Sequence, residues 1–464
     1  MRRREFLLAA GLGASAGLVG CGKSGGSSSS AASGGASTGS GAIAGEVKVT
    51  YQQFGSSKIQ ANFLGNIAKQ FTAANPQASV KLQPITASEN DYYTKLQLAM
   101  RSPRTAPDLA YEDTFLINSD IAAGYLSPLD DRISAWSDWN QFKETAKTAA
   151  QALDGKTYGI PDGTDVRAIW FNKKLLTAAG LPADWAPKNW QDLLTAAQAV
   201  KQKVPNVIPI NVYAGTGVGE AASMQGFEML LYGTKGGTLF DKASQKWVVG
   251  SQNFKDALGF MQQIYSTGLG PTPQQALNPT WANTVSQELL PSSKLAIAVD
   301  GSWLSGNWSS TGAAPWPDWN KVLGNTPMPT QNGDGSGKVT MSGGWTWAIP
   351  KNSQNPTAAW ALIQLLTAKQ GELDWAIQNV QIPVRVDVAK DPTYVKANPT
   401  NAFFSDLVGD TIYRPAYAEY SKISLLIQQA TEKVITNTAS PDAAAKFYDD
   451  GVTKIVGPDK VMTQ

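Results

Sequence analysis

The sequence predicts an α/β protein of two lobes, each an open sheet covered by helices. Three observations point there. A β-α-β-α-β run fills Val47 to Tyr111, a second α/β run begins at Ala168, and 464 residues exceed what one small domain holds. Hydrophobic residues make up 42% of the chain, enough for a substantial core.

The elements follow in order. Val47-Lys48-Val49-Thr50 alternates like a first strand. Ile59, Phe63, Ile67 and Phe71 then recur every four residues, with Leu64 and Ala68 beside them, which predicts a helix with one apolar face. Asn75-Pro76 ends it. Ser79 to Leu82 is a second strand, Leu96 and Met100 lie on a further helix, and Asp108 to Tyr111 is a third strand. Strands alternating with helices predict a parallel sheet. Later, Ala168 to Asn172 reads as a strand and Lys173 to Ala179 as a helix, with Gly180 at C′. Trp190 to Lys203 carries Leu193, Leu194, Ala197 and Val200 on one helical face. Lys294 to Val299 and Thr346 to Ile349 read as buried strands. Thr357–Ala368, Tyr420–Thr436 and Pro441–Val456 are amphipathic helices. Glycine-rich Gly215 to Gly219 lacks the lysine of a phosphate loop and is read as a plain loop.

The N-terminus has its own plan. A basic start, Arg2-Arg3-Arg4, precedes an apolar run from Phe6 to Val19, too short to span a bilayer and suited to a signal peptide over residues 1–20. Arg3-Arg4-Glu5-Phe6-Leu7 resembles a twin-arginine (Tat) export signal, although Arg2 stands where Ser or Thr is usual. Leu18-Val19-Gly20-Cys21 resembles a bacterial lipobox, which implies that Cys21 receives lipid and becomes the first mature residue. From Ser24 to about Gly45 the chain is almost wholly Gly, Ser, Ala and Thr. Such a tether buries too little to fold and reaches roughly 25 Å.

Composition excludes several classes. The chain has no histidine and one cysteine, so an imidazole-based triad and the common zinc sites are out of reach, as is an internal disulfide. No metal and no cofactor is expected. Taking Arg2, Arg3, Arg4 and Glu5 from the 39 basic and 37 acidic residues leaves 36 of each. A neutral chain without a basic stripe is not expected to bind nucleic acid. In open α/β sheets ligands bind beyond the carboxyl ends of strands, which marks Gln52, Gln53 and Phe54, then Glu112 and Asp113, then Asp300 to Trp303.

Several phrases together resemble the family 1 extracellular solute-binding proteins. Ala106-Pro107-Asp108-Leu109 with Gly124 to Asp130 is similar to that family's "apDv … G.l.pLd" stretch. Asp154 to Pro161 looks like its "dGK.ygiP", and Trp170-Phe171-Asn172-Lys173 with Ala178 to Leu181 like its "l.YNk ….aGl". Asn189 to Leu193, Asp300-Gly301-Ser302-Trp303, Met328-Pro329, Gly343-Gly344-Trp345 and Ile382-Pro383-Val384-Arg385 complete the series, in order over about 400 residues. The resemblance implies a two-lobed, periplasmic-binding-protein-like (type II) fold with three interlobe crossovers. These are expected near Gly155–Tyr158, near Met341–Trp345, and between Gln370 and Pro383. Lobe 1 would take residues 46–155 and 346–375, and lobe 2 residues 156–345 and 376–464, after the lipidated Cys and tether at 21–45.

It also implies a function: a monomer anchored by lipid to the outer face of the cell membrane, delivering a carbohydrate to the permease subunits of an ABC importer, without catalysis. A pyranose needs flat aromatic surface for its C–H faces and carboxylates, amides or Arg for its hydroxyls. Trp303, freed by Gly301 to turn beyond a strand, and Trp345, at a hinge after Gly343 and Gly344, are the aromatic candidates. Gln53, Asp113, Asp165, Arg167 and Arg385 are the polar candidates, and Gly344 lies among them. Simpler roles stand beside these: helix capping for Asp113, a turn for Asp165, an ion pair for Arg385, strand core for Trp170. A secreted glycoside hydrolase, which needs only two carboxylates, and a surface adhesin are the competing functions.

Overall fold

The first strand begins where the Gly/Ser/Ala composition stops: β1 runs Gly45–Gln53, with Val47, Val49 and Tyr51 pointing into the core. A computed structural model of the chain describes residues 43–152 and 154–464. The predicted leader, Cys21 and the tether up to residue 42 lie outside the described residues.

Helix α1 (Ile59–Ala74) buries Ile59, Phe63, Ile67 and Phe71 at the predicted four-residue spacing. Strand β2 (Ala78–Thr86) pairs parallel to β1, and β3 (Leu109–Asp113) pairs parallel on its other side. Helix α2 (Glu89–Met100) connects them, started by the Ser88 hydroxyl, which accepts from the Asp91 N–H. The sheet is completed by the strand Gly344–Ala348 and by β4 (Gly159–Thr164), in the order β2, β1, β3, 344–348, β4. Strand 344–348 runs antiparallel to both neighbours. The expected all-parallel sheet is therefore mixed, because the returning chain enters it from the cleft side.

The second lobe holds four strands in the order 323–326, β5 (Arg167–Asn172), 295–301, 208–211. Here β5 is antiparallel to 295–301, and only 208–211 is parallel to it. One face of this sheet buries Leu193, Val200, Ile297 and Val299. The other packs Trp170 against Trp308, Trp319 and Phe404. Trp170 is wholly buried and its indole N–H donates to the Gly301 carbonyl at 3.1 Å, so it is strand core.

Three crossings join the lobes, and two lie elsewhere than the sequence suggested. The first was expected at Gly155–Tyr158, but Gly159–Thr164 is a strand of the first sheet, so the chain crosses between Thr164 and Arg167. The second falls at Gly343, between the strands Lys338–Ser342 and Gly344–Ala348, inside the expected window. The third was expected between Gln370 and Pro383. Instead Trp375 packs on Phe63 of α1 at 5.0 Å, and Leu373, Ala376, Val388 and Tyr394 form one small cluster. Ile382 touches the cluster around Trp170, but Val384 returns to the core of lobe 1, and Phe404 and Leu407 then join the Trp170 cluster. The expected lobe limit at 155/156 therefore lies inside lobe 1, whose sheet runs on to Thr164.

Candidate functional site

A cavity of about 310 Å³ lies between the lobes, within the size range of small-molecule sites. Lobe 1 lines it with the ends of β1 and β3 (Gln52, Gln53, Phe54, Tyr111, Asp113), with Glu89 of α2, and with Trp345 and Trp375. Lobe 2 supplies Asp165, Arg167, Tyr213, Glu220, Gln225, Asp300, Trp303 and Arg414. Six of the eight ligand candidates, Gln53, Asp113, Asp165, Arg167, Trp303 and Trp345, thus border one cavity.

The aromatic surface comes from both lobes. Trp345 stacks on Tyr111 at 4.7 Å with an 11° tilt and meets the edge of Phe54 at 5.7 Å. It is half-buried, and Phe54 is 45% exposed. On the other lobe, Trp303 is half-buried with the Arg167 guanidinium 4.7 Å from its ring. Gly301 matters differently from the expectation. Its φ of −89° is open to any residue, but a Cβ there would lie 2.0 Å from the Trp303 ring. Glycine is needed because the indole folds back over that backbone.

The charges form two linked groups. In the first, Arg167 Nη1 pairs with Asp165 Oδ1, which also accepts from the Gly343 N–H at 2.8 Å. The pair therefore ties the first crossing to the second. A Cβ on Gly343 would sit 3.2–3.4 Å from Arg414 Nη2, Asp165 Oδ1 and Arg167 Nη1, so the missing side chain leaves room for the charges. In the second group, Arg414 Nη2 donates to Asp113 Oδ1 at 2.9 Å, and its Nη1 to Glu220 Oε1 at 3.0 Å. Asp113 ends β3 of lobe 1, while Arg414 and Glu220 belong to lobe 2, so this is a buried ion pair across the cleft. Its guanidinium lies 4.1 Å from the Phe115 ring.

Burial raises Asp113 to about 6, with Arg414 and the Phe115 N–H holding it from going higher. Asp113 also caps the following turn through that same N–H, at 3.0 Å. Capping and pairing are thus both true of it. Asp300 is likewise pushed up to about 6 by burial; it accepts from the Tyr213 hydroxyl at 2.8 Å and the Gly301 N–H at 2.7 Å.

Two candidates lie off the cavity. Arg385 is buried in an ion pair with Asp138 (2.8 Å) and Asp387 (2.9 Å), and donates to the Thr367 carbonyl at 3.0 Å. Both its ion pairs and its bond to Thr367 are made within lobe 1, so the simpler role fits it. Gly344 does not line the cavity either: it pairs with Thr164 in the sheet, and a Cβ would lie 2.7 Å from the Gly163 carbonyl oxygen. It is a close-packing position. Sequence reasoning missed Arg414, Glu220 and Glu89. Arg414 stands at a strand end and Glu89 follows a Ser N-cap, which are weak signals; Glu220 follows the glycine-rich loop and carries none.

A model of the bacterial extracellular solute-binding proteins matches residues 46–372. The chain belongs to that family. Among its relatives, a binding protein of Brucella abortus strain 2308 is 24% identical over 421 residues, covering 88% of this chain and 92% of its own. Two solved structures of similar fold are the GacH receptor of Streptomyces glaucescens, described unliganded and with acarbose, and a maltose-bound MalE3 of T. maritima. GacH gives a TM-score of 0.77 at 22% identity, over 90% of this chain and 99% of its own. MalE3 gives 0.75 at 23%, over 89% and 100%. The two-lobed reading of the family resemblance agrees with these neighbours.

Proposed function

We propose that this solute-binding protein captures a carbohydrate between its lobes and delivers it to an ABC importer. The observation that carries the reading is that two half-buried tryptophans, Trp345 of lobe 1 and Trp303 of lobe 2, line one cavity with carboxylates, amides and guanidiniums between them. Indole faces suit the C–H faces of a pyranose, and the polar groups suit its hydroxyls. Acarbose and maltose are carbohydrate-type ligands of the two structural neighbours, which supports the class. In this reading Gln53, Asp113, Asp165, Arg167, Trp303 and Trp345 touch the ligand, and the lobes close on it.

A thermal-shift screen over a carbohydrate panel tests the class, since a ligand bound only by the folded state raises the melting temperature. A hit should bind without turnover and should lower the radius of gyration in small-angle scattering. Release of cleaved sugar would favour a hydrolase instead. The lipobox-like run supports an exported protein held to the membrane by lipid on Cys21. Cys21→Ala should then release the protein from the membrane fraction, and wild-type protein found soluble with Met1 retained would refute the anchor.

A further inference from the structure

Besides the Asp113–Arg414 pair, the lobes touch at three places around the cavity. Beside Phe54, Gly55 of lobe 1 meets Asn283 on the lobe 2 helix Trp281–Thr284, and both line the cavity. A Cβ on Gly55 would lie 2.8 Å from Asn283 Nδ2, and the φ of +55° there also favours glycine. Elsewhere Asn90 Nδ2 of α2 donates to Gln428 Oε1 of the lobe 2 helix Tyr420–Ile435 at 3.5 Å. At the third place a Cβ on Gly306 of lobe 2 would come 3.8 Å from the carbonyl of Asn379, which ends the lobe 1 helix Lys369–Gln378.

The Gly55 contact adjoins the aromatic wall. Phe54 meets Trp345 edge-on at 5.7 Å, so a pyranose stacked on Trp345 has Phe54 beside it and Gly55 next along the chain. Across from Gly55, Asn283 is held by its own helix: its Oδ1 accepts from Gln287 Nε2 at 3.3 Å, which leaves Nδ2 toward Gly55. The space among these contacts is about 310 Å³. A pyranose of about twelve non-hydrogen atoms fills roughly 180 Å³ at the packing density of a protein interior, two linked rings roughly 330 Å³, and three roughly 500 Å³. One ring with ordered water, or two rings closely fitted, match the cavity; three do not.

We propose that the cleft takes a carbohydrate of one or two rings and that Asn283 is the stop against a third. This rests on the carbohydrate reading above and adds the length. A longer chain would have to hold Gly55 and Asn283 apart. The lobes would then stay ajar, and the contacts that both lobes make to the ligand only on closure would be lost. The discrimination is steric: it comes from a clash built against the longer chain rather than from a better contact to the shorter one. Asn283 thus sets specificity without supplying binding energy.

The test is titration calorimetry of wild type and Asn283→Ala with sugar ladders of one to four rings in the glucose, galactose, mannose and arabinose series. In the ladder that binds, wild-type affinity should peak at one or two rings and fall at least about tenfold at three, the scale of an overpacked contact. Asn283→Ala withdraws Nδ2 from Gly55 and should raise the three-ring affinity, relative to the best-bound member, by about fivefold or more. Asn283 is half-buried and its side chain gives up only the bond to Gln287, so the variant should melt near wild type. A general loss of structure would lower all affinities together and leave that ratio where it was. Three or more rings binding as tightly as one or two in the wild type overturns the length assignment, and a ratio unmoved by Asn283→Ala overturns Asn283 as the stop; either leaves the carbohydrate reading standing. If no ladder binds, the carbohydrate reading fails, and this inference with it.

Discussion

Trp303→Ala separates a ligand platform from a core residue. The indole is half-buried, lies back over Gly301, and has Arg167 at 4.7 Å from its ring. A fully buried Trp replaced by Ala leaves a cavity that costs about 3–5 kcal/mol of stability. A half-buried ring at a cleft wall should lose well under that, chiefly the contact with Arg167, worth about 1–2 kcal/mol when desolvated. Binding should suffer more, since removing a central aromatic anchor typically costs at least about 2 kcal/mol, or roughly thirtyfold in affinity. Calorimetry with the ligand found by screening, and melting of the free protein, give both quantities on one variant. Gly301→Ala provides an independent approach: its Cβ would occupy the ring's place 2.0 Å away, so the ring must swing off and affinity should fall similarly. A Trp303→Ala protein that melts much earlier yet binds normally would refute the reasoning.

Arg414→Met leaves Asp113 and Glu220 buried without their cation, and breaking such a pair costs about 3–5 kcal/mol; urea unfolding should show a loss of that order, and a loss below about 1 kcal/mol would mean the pair is not formed in solution. The pH dependence is unusual in direction. Asp113 and Asp300 are raised to about 6 from 3.8, and Glu228 and Glu372 to about 8 from 4.5, so the native state holds more protons than the unfolded one across that interval. Stability should therefore decline as pH rises from about 4 to about 8, and Glu228→Gln should flatten part of the slope in thermal melts. A melting temperature that climbs over this range would contradict the raised carboxyls.

The regular elements were legible because periodicity reports burial directly. Trp190–Lys203 and Pro441–Val456 match their predicted limits, and α1 buries the predicted face. Strand direction was not legible. Alternating strands and helices read as parallel, but a strand that returns from the other lobe, such as 344–348, reverses the rule without changing its own pattern. The crossings were misplaced for a related reason. Gly159 to Thr164 is buried throughout, and a fully buried strand looks the same whichever sheet it joins. Arg385 follows a phrase shared with the family, yet its partners Asp138 and Asp387 come from the same lobe, which no local signal declares.

The site divides along the same line. Residues at or just past strand ends, Gln52 to Phe54, Asp113 and Trp303, could be named because position on an open sheet is a local property. The charge network could not, since it is a property of pairs distant in sequence. Arg414 lies 301 residues from Asp113 and 194 from Glu220. That separation also assigns its mechanical role. Arg414 leaves lobe 2 to reach Asp113, while Asp165 and Arg167 lock the first crossing to Gly343 of the second. Opening the cleft must then break one buried pair and leave the other intact. The lobes should pivot about the Asp165–Arg167–Gly343 knot, with Asp113–Arg414 as the contact exchanged for ligand.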